Sequence, residues 1–111
     1  MKKRNFFIPN VDHWRWERIE RRYVRQMYDR SSESLVEIES ALAQLDGDMV
    51  NIEQEIKGVW ASASATMMRA FEGRLLDVRL ERWRIVKQRT KLLGVMDRMR
   101  AYLNESKAIN V

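Results

Sequence analysis

In "LVEIESALAQLDGDMVNIEQEI", residues 35–56, apolar side chains recur at Leu35, Ile38, Leu42, Leu45, Met49, Ile52 and Ile56. Steps of three and four keep them on one stripe of an α-helix, the seam of a coiled coil. A second series, Phe71, Leu75, Val78, Ile85, Leu92, Met96, Met99 and Leu103, follows one register of its own, with Arg82 and Arg89 filling its two remaining slots. Between the two runs lies "ASASAT", residues 61–66, with Gly58 just before it. Small polar residues favour a turn, and Ser64 or Thr66 can cap the helix that follows. The pattern predicts an all-α fold, a long antiparallel two-helix coiled-coil hairpin. Arm one spans 11–60, the turn 61–66 and arm two 67–104, with a frayed tail at 105–111.

The pattern is less regular upstream. Pro9, Asn10 and Asp12 suit a helix start, which leaves residues 1–10 as a basic, aromatic tail. Trp16, Ile19, Tyr23 and Met27 form a helical stripe out of phase with Leu35 onward. The mismatch is absorbed as a stutter in a continuous or bent helix, or it marks a break near residues 29–34, where Ser34 and Glu37 fit a capping box. In the first case residues 11–30 extend arm one; in the second they can fold over the hairpin.

Charge decides how the arms meet. Residues 1–30 hold nine Lys and Arg against four Asp and Glu; residues 31–56 hold seven acids and no base; residues 69–100 hold ten bases against four acids. Folding back at 61–66 sets Phe71 opposite Ile56, Leu75 opposite Ile52 and Ile85 opposite Leu42, and brings Arg82 to Asp46 and Asp48. Two acidic arms side by side would repel, so arm one expects the chain's own arm two. A single seam is a small core, and Leu76, Leu80, Trp83, Val86, Leu93, Val95 and Tyr102 lie outside it. The hairpin therefore calls for a partner or self-association. The end carrying both termini lacks compensating acids and should attract an acidic partner.

The chain has 111 residues, a formal charge of +5 and no cysteine. That is one domain at most, with no disulfide, thiolate metal site or cysteine nucleophile. Its single histidine, His13, makes a poor metal site alone. Asp46/Asp48 and Glu53/Glu55 point apart on a helix and form no acid–base pair. No glycine-rich phosphate loop occurs. These readings exclude an enzyme and imply no catalytic residues, cofactor or metal. The start "MKKRNFFIPN" has only Phe6, Phe7 and Ile8 as an apolar stretch, too short for a signal sequence, and no run is long enough to span a bilayer. The expected location is cytoplasmic.

"HWRWERIERRYVR", residues 13–25, interleaves aromatic side chains with arginines. The candidate partner-binding residues are Trp14, Arg15, Trp16, Arg18, Arg22 and Arg25 here, Trp60 at the turn, and Arg98 and Arg100 on arm two. Three partner classes fit: a protein; a nucleic acid bound by a basic dimer of hairpins; or an assembly in which the chain is a partner-dependent scaffold or chaperone-like subunit.

The acidic first arm, the turn "ASASAT" and the basic return "RLLDVRLERWRIVKQRTKL" together resemble the stalk proteins of type III secretion and flagellar export, the YscO and FliJ group. The resemblance covers roughly residues 16–104 and lies in architecture and charge layout. It implies a cytoplasmic antiparallel coiled coil resembling the central stalk of rotary ATPases. Such a protein inserts one end into the hexameric export ATPase and contacts the export gate with the other, peripheral to the inner membrane.

Overall fold

Two exact seven-residue ladders organise the chain. Val24, Ser31, Ile38, Leu45 and Ile52 are all 4% exposed or less, and Phe71, Val78, Ile85, Leu92 and Met99 are 9% or less. A strict seven-residue repeat keeps one line of each helix facing the other. In the computed structural model, which describes residues 4–109, with side chains through Glu105, these ladders lie on α1 (Arg21–Val59) and α2 (Ala65–Ile109). The protein is an all-α helical hairpin. Among the described residues there is no strand.

The chain forms two compact units. The first, Glu39–Val86, contains the turn. There Arg74 Nη1 lies 2.7 Å from Glu55 Oε2 and Arg82 Nε 2.8 Å from Asp46 Oδ1. Rising numbers on α2 meet falling numbers on α1, so the pairing is antiparallel. These side chains are about half exposed, and such pairs contribute at most about 1 kcal/mol each. They choose the register, while burial of Leu45, Ile52, Phe71, Val78 and Ile85, at about 1.5–3 kcal/mol each, holds it.

The turn occupies residues 60–64, one or two positions earlier than the sequence pattern places it. Ser64, not Thr66, caps α2: its hydroxyl oxygen accepts the Met67 amide at 3.1 Å. Gly58 is helical, and among the described residues no backbone φ is positive. Ser62 closes the turn by donating its amide to the Val59 carbonyl at 3.0 Å.

The second unit joins residues 4–38 to residues 87–109. Here the structure differs from the expected arm one. α1 starts at Arg21, not near Val11, and it runs unbroken through 29–34. Two serines take places an apolar pattern leaves empty: Ser31 is fully buried and Ser34 is 4% exposed. The Ser31 hydroxyl donates to the Met27 carbonyl at 2.8 Å, and that of Ser32 to Tyr28 at 3.1 Å. The hydroxyls of Ser31 and Ser32 are thus satisfied one turn back within the helix. The Val24–Ser31–Ile38 ladder continues the phase of Leu45 and Ile52, so no stutter is required. Leu35, Leu42, Met49 and Ile56, expected in the seam, are only half-buried on its flank.

Residues 4–20 do not extend α1. Asn10 Oδ1 accepts the Asp12 amide at 3.1 Å and Trp14 donates to the Val11 carbonyl at 3.1 Å, which turns the chain before a helix can start. A single further turn closes on the Arg15 carbonyl, which accepts the amides of Arg18 and Ile19 at 2.9 Å each. Pro9 and Val11 are buried. The basic, aromatic tail expected at residues 1–10 is packed structure from residue 4; residues 1–3 lie outside the described part. The physical reason is phase: Trp16 and Ile19 cannot join the Val24 ladder on a straight helix, and folding back buries them partly against α2. At the other end, α2 extends to Ile109, past residue 104 where the sequence pattern ends arm two.

A candidate partner-binding surface of arginines and aromatic rings

The folded-back segment and the last turns of α2 build an aromatic cluster. The Trp14 ring centroid lies 5.3 Å from Trp16 and 5.5 Å from Tyr23, and Trp16 lies 5.5 Å from Tyr102. All three contacts are tilted, the favoured arrangement for aromatic quadrupoles. Tyr102 fixes the cluster, because its hydroxyl donates to the Ile19 carbonyl at 2.6 Å.

Arginines are threaded through these rings. Arg98 donates to Asp12 Oδ1 at 2.9 Å and stands 5.6 Å over Trp16. Arg100 donates to the Tyr28 hydroxyl at 3.0 Å and 3.3 Å and lies 3.6 Å from Asp97. The Tyr28 hydrogen bond, more than any nearby acid, raises the Arg100 pKa above its ordinary value. Arg25 lies 3.9 Å from Asp29. On the α1 side, Arg30 sits 4.0 Å over the Phe7 ring. Arg15, Arg18 and Arg22 are exposed, and Trp14 and Trp16 are half-buried.

Of the nine expected residues, eight therefore belong to this one unit. Trp60 does not: it is 68% exposed at the turn, in the other unit. Arg98 and Arg100 are held by Asp12 and Tyr28, so they shape the surface as well as charging it. Sequence reading missed Tyr28 and Tyr102 as anchors, and it took Asp12 for a helix-start acid. Tyr102 carried a signal, as a large polar-tipped ring outside the α2 ladder, but its partner carbonyl is 83 residues away.

The charge is uneven between units. Residues 1–38 and 87–111 hold fifteen Lys and Arg against eight Asp and Glu, whereas Glu39–Val86 holds six against eight. The cleft between the folded-back segment and α2, lined by Asn10, Asp12, Lys91 and Arg98, has a volume of about 280 Å³. Among the described residues no group of three or more His, Asp or Glu is placed to hold a metal ion, and no helix is long and apolar enough to cross a membrane. No family model, curated protein or solved structure matches the chain.

Proposed function

We propose that the chain is a non-enzymatic coiled-coil stalk or adaptor of a type III protein export apparatus, docking to the export ATPase and the export gate. The observation that carries this reading is an antiparallel hairpin whose excess positive charge lies in the unit formed with both chain ends, on a surface studded with tryptophan and tyrosine. An acid-lined ring offers complementary charge. The rings add buried area, so the contact should survive moderate salt. The chain works in the cytoplasm, at the inner face of the membrane, as part of that complex.

The test uses Arg15→Glu, Arg18→Glu and Arg22→Glu together, because these exposed side chains can be reversed without breaking the Arg98–Asp12 or Arg100–Tyr28 contacts. The triple variant should lose binding to the export ATPase of the source cell in a pull-down at physiological salt while keeping its helical circular dichroism. Intact ATPase binding would refute the assigned surface. Failure of the unaltered chain to bind the ATPase, with duplex DNA bound instead and released steeply between 50 and 200 mM salt, would replace the reading with the nucleic-acid one.

A further inference from the structure

Unit Glu39–Val86 has an apolar side that its own seam does not use. With Leu45 and Ile52 facing α2, and about 100° of rotation per residue, Met49 lies about 40° and Val50 about 140° round from the seam. On α2, counted from Val78 and Ile85, Val86 lies about 90°, Trp83 about 150° and Leu76 about 170° round in the same sense. In an antiparallel pair, equal rotations fall on one side of the two-helix layer. On this side Met49 and Asp46 from α1 and Arg79, Arg82, Trp83 and Val86 from α2 line one open groove of about 410 Å³. Val50, Leu76 and Trp83 are 50%, 55% and 59% exposed.

The charges on this side are sorted by helix. With Asp46 and Arg82 already paired to each other across the seam, α1 brings Glu39 and Glu53 against Lys57, and α2 brings Arg69 and Arg79 against Glu72. We infer that this side packs against the same side of a second copy of the chain, giving a four-helix bundle whose two-fold axis runs parallel to the helices. That axis lays each acidic α1 on the basic α2 of its mate, antiparallel, and sets Trp83 and Leu76 against the partner's flank around Val50. A two-fold axis across the helices would lay α1 on α1, acid upon acid. The self-complementary patch is what a symmetric dimer needs. With six bases and eight acids, the unit also carries little net charge to oppose its own association. The excess of positive charge elsewhere in the chain gives no such freedom.

The chain contains no cysteine, so placed thiols give a clean readout. Chains with Val50→Cys and Leu76→Cys, made at two sizes with a tag, are mixed and oxidised. The expected main product is the mixed 50-to-76 disulfide. In sedimentation the unaltered chain should be a dimer that dissociates on dilution. Trp83→Glu should weaken the dimer by more than about 10-fold, as for a tryptophan covered by an interface, with helical circular dichroism unchanged. A monomeric mass at every concentration up to several hundred micromolar would overturn the inference and leave the face to a different protein. So would a Trp83→Glu dimer of undiminished strength, or a predominance of 50-to-50 and 76-to-76 disulfides.

Discussion

Removing one oxygen, by Tyr102→Phe, should loosen the folded-back segment without unfolding the hairpin. The Tyr102 hydroxyl donates to the Ile19 carbonyl at 2.6 Å, joining the end of that segment to α2. Its ring also meets Trp16 at 5.5 Å, a contact that phenylalanine keeps. The loss is thus a single hydrogen bond between half-buried partners, worth about 0.5–1.5 kcal/mol. At about 0.59 kcal/mol for RT, local opening becomes about 2- to 13-fold more frequent. Hydrogen exchange reads this directly, because the amides of Trp14, Arg18 and Ile19 are protected only by bonds inside the segment. Their exchange should speed up by that factor, while amides of α1 near Ile38 stay unchanged. Asp12→Ala provides the contrast. It removes the Arg98 ion pair, whose side chains are 49% and 79% exposed, and its smaller effect should fade as salt rises. The Tyr102 effect should not. Unaltered exchange at all three amides in Tyr102→Phe, or loss of protection throughout both helices, would refute the assignment of this hydroxyl as the pin.

Two further predictions concern the ladders. Ile85→Ala empties a fully buried site and should cost about 2–5 kcal/mol in chemical denaturation, whereas Leu80→Ala, at a site 54% exposed, should cost well under 1 kcal/mol. Ser31→Ala should be nearly neutral, since both the hydroxyl and its bond to Met27 lie within one helix; Ser31→Leu should destabilise by about 1–3 kcal/mol through overpacking, read as a lower melting temperature.

The hairpin was legible because the hydrophobic seam and the charge sorting point the same way. The seven acids without a base in residues 31–56 could face only the arginine-rich return. The Arg82–Asp46 contact follows from that register. What stayed hidden has a common cause, side chains acting out of character. Ser31 and Ser34 occupy core positions, so an apolar pattern sees a gap where the ladder is continuous. Trp16 and Ile19 look helical by spacing, yet their phase excludes them from α1. The resulting fold-back depends on Tyr102 and Arg98, which lie more than 80 residues away. Local spacing carries no record of such partners. For the candidate surface, the residue types and most positions were readable in "HWRWERIERRYVR"; their assembly with α2 was not.

The strict seven-residue repeat makes the hairpin's length adjustable in whole steps. Excising residues 46–52 together with 75–81 would shorten both arms by one period near the turn and leave each surviving ladder residue beside its former kind of neighbour. Glu53 would inherit the place of Asp46 opposite Arg82. Cutting a number of residues that is not a multiple of the repeat would swing the greasy line out to water. A lineage of such chains can therefore drift in reach by quanta of one period while the arginine and aromatic cluster of the other unit is untouched.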